Sequence, residues 1–188
     1  MTQTNNKKIA IIGWGSLIWD HRSLPIKCKW CKNGPELPIE FSRISKDGRL
    51  TLVIDKDNGK KVKTLYALSK RNAPLDAVAD LREREGTVMK NIGYINLTEN
   101  ADKKSDIDEE IKKWAENNKI DIVVWTALLP NFRRQTGKDY TVDNAIEYLK
   151  SLPKNVKKNA LNYIKRAPKQ INTPLRKKIR ELQLFKKS

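Results

Sequence analysis

The spacing of apolar residues changes along the chain, from short β-type runs in the first half to helical spacing in the last third. Residues 8–12 are a β-branched run closed by Gly13, which predicts a strand buried on both faces. Two further strand segments, 39–44 and 50–54, flank an Asp-Gly pair at residues 47–48. Asp-Gly between two strands is a strong hairpin signal, so we predict that these strands pair.

The remaining segments predict more strands, followed by helices. A second turn, Asp-Asn-Gly at residues 57–59, leads into a predicted strand over residues 62–68. Further strands are predicted over 92–97 and 120–129, the latter ending before Pro130. Helical spacing predicts helices over residues 74–85, 106–118, 142–152, 157–167 and 175–185.

Capping residues locate the first two helices. Asn72 is the candidate N-cap of the first helix, Pro74 lies in its first turn, and Gly86 is expected to end it. Ser105 with Asp108 predicts a capping box for the second helix.

The order of the elements favours an α+β fold. Strands come first and helices last, without the regular βαβ alternation that produces parallel sheets. We therefore expect a mostly antiparallel sheet or compact barrel with flanking helices. The expected domain covers residues 1–168, and a basic C-terminal helix or tail follows over residues 169–188.

Positive charge is concentrated at the C-terminus. The 188 residues carry a net charge of +17, and residues 146–188 hold 13 of the 39 Lys and Arg residues but 2 of the 22 Asp and Glu residues. Such a segment is typical of proteins that hold nucleic acid, bind anionic membranes or simply stay soluble. Tyr148, Tyr163 and Phe185 are interleaved with these charges, which keeps open a non-catalytic scaffold whose basic C-terminal third binds nucleic acid.

Cysteine and apolar content indicate the compartment. Two cysteines, Cys28 and Cys31, are too few for a disulfide framework, so a reducing cytoplasm is expected. Their C-x-x-C spacing permits metal or redox use, but there is no second pair, and His21 would supply only a third zinc ligand. Two ordinary reduced cysteines are therefore the favoured interpretation. No apolar run is long enough for a membrane span, so no membrane partner is expected.

The glycines after the first strand do not complete a familiar nucleotide or hydrolase motif. Gly13 and Gly15 begin a G-x-G-x-x-G pattern, but Ile18 occupies the third glycine position and no βαβ unit follows. The G-x-S-x-G nucleophile elbow also fails around Ser16, because Trp14 and Ile18 occupy its glycine positions.

A carboxylate occupies an unexpected position on the first helix. At about 100° per residue, Leu75, Val78 and Leu81 share one arc, and Glu85 falls within it, whereas Glu83 points the other way. A core-facing carboxyl that is removed from water is suited to moving protons near neutral pH. The structural alternative is that Glu85 merely pairs with Arg82 at i,i+3 or frays with the helix end.

The loop after the first strand supplies complementary chemistry. Glycines at positions 13 and 15 allow a sharp turn, and the amides of Gly15, Ser16 and Leu17 are candidates for an anion-binding nest. Such donors hold a carboxylate or a developing oxyanion while a carboxyl shuttles a proton. The combination suits acyl transfer without a protein nucleophile.

With these two features the sequence resembles the γ-glutamylcyclotransferase-like family. The family's first strand runs into a Tyr-Gly-Ser loop, matched here by residues 14–17 (Trp-Gly-Ser-Leu), and its Glu-Gly at a helix end is matched by residues 85–86. The intervening hairpins, "YINL", "TALLPNF" and the helices "VDNAIEYLKSL" and "NALNYI" extend the likeness over most of residues 8–166.

The resemblance implies a barrel with flanking helices and release of 5-oxoproline from a small γ-glutamyl amine or peptide, without cofactor or metal. It implies Glu85 as the general acid and base, residues 14–17 as the substrate-binding loop, and Tyr94 as a further substrate contact. One departure is Trp14, which replaces the family's loop tyrosine. An indole can only donate a hydrogen bond, whereas a phenol also accepts one.

Overall fold

A computed structural model describes residues 7–99 and 105–184 and confirms the α+β class. The described residues fall into two units. Unit 1 takes those of Met1–Gly13, Asp20–Glu36 and Lys63–Ala127. Unit 2 takes those of Trp14–Trp19, Leu37–Val62 and Leu128–Ser188.

Unit 1 is built on a four-stranded sheet in the order β5-β1-β7-β6. The β-branched run forms β1, whose five residues are all buried as predicted. β1 pairs antiparallel with β5 and parallel with β7, while β6 pairs antiparallel with β7. The bounds are β1 Ile9–Gly13, β5 Leu65–Leu68, β6 Ile92–Asn96 and β7 Ile122–Thr126.

Two helices belong to unit 1, α1 (Pro74–Glu85) and α2 (Asp106–Asn117). Pro74 begins α1 with a fixed φ, and Gly86 ends it in the left-handed region at φ 58°. Both ends were predicted, but the N-cap is Ala73 and not Asn72. The predicted cap of α2 is confirmed, because the Ser105 side chain accepts from the Asp108 amide.

Unit 2 contains a three-stranded sheet in the order β3-β2-β4. The predicted hairpin is confirmed, since β2 and β3 pair antiparallel and Gly48 between them has φ 81°. The register shifts between Glu40 and Arg43, so β2 carries an irregularity in its centre. The bounds are β2 Glu36–Ile44, β3 Leu50–Ile54 and β4 Lys60–Lys63.

The helices of unit 2 follow the sheet along the chain. Pro153 separates α4 from α5, as the sequence indicated. The last helix buries Leu175, Arg176 and Ile179 and packs against α4. The bounds are α3 Phe132–Thr136, α4 Val142–Ser151, α5 Lys154–Arg166 and α6 Pro174–Glu181.

The strand pattern differs from the prediction in three respects. The predicted strand over 62–68 is divided between β4 and β5, which belong to different sheets. The predicted strand over 120–129 is limited to β7. In the two described ranges the strands form two mostly antiparallel sheets and no closed barrel, so the barrel is not confirmed.

In residues 7–99 and 105–184, no helix is long and apolar enough to cross a bilayer.

Candidate functional site

Glu85 is the last residue of α1, directly before the left-handed Gly86. Its side chain is 16% exposed, so the carboxylate is mostly withdrawn from water without being sealed off. Glu83, two residues earlier, is exposed as predicted. The last turn of α1 therefore carries two glutamates in contrasting environments.

An ion pair with Arg84 holds the Glu85 carboxylate in position. The Arg84 Nη1 donates to Glu85 Oε1 at 2.7 Å. Arg84 is itself 7% exposed, and its Nε and Nη2 donate to the Asp20 carbonyl oxygen at 3.1 and 2.6 Å. Because both partners are tied down, the position of Glu85 is set by its neighbours as well as by its own rotamer.

The buried face of α1 differs from the predicted arc. Val78 and Leu81 are buried as predicted, but Leu75 is 70% exposed and Arg84 takes the place of an apolar residue on the buried face. A guanidinium can be buried here because carbonyl and carboxylate acceptors meet its N–H groups. Arg84 follows Leu81 by three residues and Ala77 by seven, so helical spacing is compatible with its burial, but its charge gave no reason to expect it there.

Trp14 anchors the 14–17 loop. Its indole is 5% exposed, and its Nε1 donates to the Leu52 carbonyl oxygen on β3 at 3.3 Å. The single donor of the indole is therefore used by the backbone of unit 2. Trp14 therefore acts as a structural anchor of the loop.

The rest of the loop is a short 3₁₀ helix over Ser16–Ile18, with Gly15 as its N-cap. The Ile18 amide donates to the Gly15 carbonyl at 3.0 Å, so the predicted sharp turn is present. The amides of Gly15, Ser16 and Leu17 precede the first intrahelical bond and have no acceptor inside this helix. Leu17 is buried and Ser16 is half-buried.

Tyr163 on α5 also reaches this loop. A Cβ atom at position 15 would lie 2.7 Å from the Tyr163 hydroxyl oxygen, so the glycine makes room for that hydroxyl. In the sequence Tyr163 stands out only as an aromatic among the C-terminal charges and as part of the segment "NALNYI". Residues this far apart in the chain carry no local signal of contact.

Tyr94 lies on β6 opposite Val124 and is 38% exposed. Partial burial raises the pKa of its hydroxyl, which therefore stays protonated at neutral pH. The neighbouring Gly93 is covered by the Trp125 ring, whose atoms would lie 2.1 to 2.4 Å from a Cβ atom at position 93. Tyr94 thus lies on an ordered edge strand of unit 1.

The other candidate residues are placed as follows. Cys28 is exposed and Cys31 half-buried, and both are free thiols. His21 is exposed. Over the described ranges, no group of three His, Cys, Asp or Glu residues is arranged to hold a metal ion.

The basic C-terminal third has a charged outer surface, and its tyrosines are packed or hydrogen-bonded within the protein. Tyr163 is 8% exposed, and the half-buried Tyr148 donates to the Gly48 carbonyl oxygen at 2.8 Å. Phe185 lies outside the described residues. The two tyrosines are therefore packing residues and not open stacking platforms. Exposed cations of α5 and α6 are Lys154, Lys158, Lys165, Arg166, Lys177 and Arg180.

The predicted site residues are divided between the two units. Glu85 and Tyr94 belong to unit 1, and residues 14–17 belong to unit 2, where they meet Tyr163 and Leu52. No protein-family model, curated protein or solved structure matches the chain.

Proposed function

We propose that the protein is a γ-glutamylcyclotransferase-like enzyme that releases 5-oxoproline from a small γ-glutamyl amine or peptide. The substrate's α-amine attacks its own γ-carbonyl carbon and forms the ring C–N bond. The bond from that carbon to the outgoing amine breaks, and one proton passes from the attacking nitrogen to the leaving nitrogen. Neither water nor an external acceptor is consumed.

The single observation that carries this proposal is the restrained carboxylate of Glu85. It is 16% exposed and held at 2.7 Å by Arg84. An ionised carboxylate is an acceptor only, so it is ready to take the proton of the attacking amine. In the protonated form it returns that proton to the departing amine.

The loop of unit 2 has the donors that the reaction requires. The amides of Gly15, Ser16 and Leu17 lie at the start of the 3₁₀ helix and are the proposed donors to the glutamyl group or its developing oxyanion. In this role residues 14–17 bind substrate and Trp14 fixes the loop through Leu52. Tyr94 is a second proposed substrate contact from unit 1.

Intramolecular attack makes a protein nucleophile unnecessary. Closing a five-membered ring brings amine and carbonyl together at a very high effective concentration. The enzyme then has to orient the chain and move a proton. We propose no metal or cofactor, a cytoplasmic location, and the barrel of the family as the finer description of the fold.

Release of 5-oxoproline from a panel of γ-glutamyl amines and peptides tests this function. We expect the wild type to release it and Glu85→Gln to lose about 10²- to 10⁴-fold in turnover, the usual contribution of general acid–base catalysis. Glu83→Gln is the matched control, since it removes an exposed carboxylate from the same helical turn. Equal turnover by both variants would refute the assignment of Glu85.

The second candidate function is a non-catalytic scaffold that binds nucleic acid. It is favoured by the exposed lysines and arginines of α5 and α6, which are accompanied there by one acidic residue, Glu181. Phosphate contacts of this type give binding that weakens steeply with salt. Replacing the exposed Lys154, Lys158, Lys165, Arg166, Lys177 and Arg180 by glutamine should abolish such binding, and negligible binding of the wild type at moderate salt would refute this function.

A further inference from the structure

Arg22 lies in a tight turn with a strained backbone. The Leu24 amide donates to the His21 carbonyl oxygen at 3.0 Å, which closes the turn over residues 21–24. Arg22 is the second residue of this turn and has φ 52°. Turns with a positive φ at this place usually have glycine, asparagine or aspartate there, because a larger side chain crowds the backbone. An arginine keeps this conformation only where surrounding contacts hold it.

The side chain of Arg22 reaches the end of α1. Its Nη1 donates to the Arg84 carbonyl oxygen at 3.3 Å, and its Nε lies 3.7 Å from Oδ2 of Asp20. Carbonyls in the last turn of a helix have no donor within the helix, and a cation beside them also meets the negative end of the helix dipole. Arg22 therefore caps the turn of α1 that carries Glu85.

The segment that carries Arg22 also receives the side chain of Arg84. The Nε and Nη2 of Arg84 donate to the Asp20 carbonyl oxygen at 3.1 and 2.6 Å, and its Nη1 donates to Glu85 Oε1 at 2.7 Å. Arg22 thus holds the backbone of Arg84, Asp20 holds its side chain, and Arg84 holds the Glu85 carboxylate. Supporting hydrogen bonds of this kind fix a reacting group more closely than a single ion pair does.

We propose that Arg22 is a positioning residue for Glu85. The strained turn directs the Arg22 guanidinium to the end of α1, and this cap keeps the pair of Arg84 and Glu85 in place. The role rests on the proposed cyclotransferase function, in which Glu85 moves the proton. Arg22 acts through Arg84 and is not a catalytic residue. A glycine at position 22 should therefore relax the backbone and still lower turnover, which a residue that only stabilises the fold would not show.

Arg22→Gly separates positioning from stability. It removes the guanidinium but also relieves the strained φ, so we expect a melting temperature within about 2 °C of the wild type, or higher. We expect kcat for 5-oxoproline release to fall about 10-fold with little change in KM, because the substrate still binds while the proton-transfer geometry is loosened. Arg22→Lys keeps a cation that can donate to the same carbonyl and should recover part of the lost kcat.

Lys119→Gly is the matched control within unit 1. Lys119 is exposed and has φ 53°, so glycine relieves the same kind of backbone strain there. It follows the end of α2, where its amide donates to the Glu116 carbonyl oxygen. We expect its melting temperature to change as in Arg22→Gly and its kcat to equal that of the wild type. An equal loss of kcat in both glycine variants would overturn the positioning role.

Amide hydrogen exchange measures the cap without any turnover. The Gly86 and Thr87 amides donate to the Glu83 and Arg82 carbonyl oxygens at 3.0 and 3.2 Å, so they report opening of the last turn of α1. We expect both amides to exchange about 3- to 10-fold faster in Arg22→Gly, the factor that corresponds to one lost hydrogen bond. In Lys119→Gly they should exchange as in the wild type.

The outcomes separate this inference from the function on which it rests. Faster exchange with a lower kcat and an unchanged melting temperature supports the positioning role. Unchanged exchange in Arg22→Gly, wild-type kcat in that variant, or a melting temperature that falls in step with kcat would each overturn it. If the wild type releases no 5-oxoproline, the proposed function fails, and faster exchange still supports the hold of Arg22 on the helix end that carries Glu85.

Discussion

Glu85 in unit 1 and Glu40 in unit 2 are both withdrawn from solvent, but different groups donate hydrogen bonds to their carboxylates. Glu85 is 16% exposed and pairs with the side chain of its neighbour Arg84. Glu40, in the middle of β2, is 0% exposed and accepts from backbone amides.

The contacts of Glu40 connect the sheet of unit 2 to its last helix. Its Oε1 accepts from the Phe41 amide at 2.7 Å, and its Oε2 accepts from the Leu175 amide at 3.2 Å in the first turn of α6. Desolvation raises the pKa of Glu40, although hydrogen bonds from Thr173 and the backbone oppose that shift. A carboxylate with these partners has a structural role.

The difference shows that burial alone does not separate the proposed catalytic carboxylate, Glu85, from a structural one, Glu40. Glu40 is the more deeply buried of the two, but its oxygens accept from the Phe41 amide of its own strand and from the Leu175 amide of α6. Glu85 remains partly open, and the group that donates to its carboxylate is a side chain, that of Arg84, and not a backbone amide. Accessibility and the identity of the partner distinguish a carboxylate that can exchange protons with a substrate from one that fixes the fold.

Replacing Glu40 should have the largest effect on stability. We expect Glu40→Ala to lower the free energy of unfolding by about 3 kcal/mol, because two buried amides lose their acceptor at about 1–3 kcal/mol each. Denaturant unfolding measures this, with Glu36→Ala as the control because Glu36 is exposed on the same strand. A loss no larger than that of the control would contradict the structural role of Glu40.

Arg84→Met should have the next largest effect, because Arg84 serves both as a structural donor and as the partner of Glu85. We expect a loss of about 2 kcal/mol, since the Asp20 carbonyl loses its donor. Turnover should fall as well, because the Glu85 carboxylate is no longer held. Arg82→Met, at an exposed position in the same turn, should change neither quantity, and equal losses in both variants would contradict the assignment.

Glu85→Gln should change stability by about 1 kcal/mol or less, because the amide oxygen of glutamine still accepts from Arg84 Nη1 and leaves no buried donor without a partner. Its effect should therefore appear in 5-oxoproline release and not in unfolding. Measuring both quantities on the same preparation sharpens the contrast with Glu40. A destabilisation as large as that of Glu40→Ala would mean that Glu85 is a structural residue.

The smallest expected effect is a dependence of stability on pH. The raised pKa of Glu40 means that the folded protein holds this proton to higher pH than the unfolded chain, whose ordinary value is 4.5. The contribution of Glu40 is therefore fully present below that value and is lost as pH rises through the folded pKa. Relative to Glu40→Gln, the wild type should lose stability with rising pH, and parallel curves from repeated unfolding at several pH values would contradict this.

The sequence by itself determined the elements whose signals are local. The bounds of α1 follow from Pro74 and Gly86, and the turn of the hairpin follows from the Asp-Gly pair that ends in Gly48. The position of Glu85 at the helix end and the turn at Gly15 were also predicted. These features depend on backbone conformations and hydrogen bonds that span only a few residues.

Tertiary structure alone decided which distant segments meet. The parallel pairing of β1 with β7, the division of the strands into two sheets, and the burial of Arg84 and Glu40 have no local signature. The approach of Tyr163 to Gly15 likewise requires α5 to pack beside a loop from the start of the chain. Periodicity shows which residues share a face, but the partner that covers that face is selected by packing and hydrogen-bond satisfaction across the whole unit.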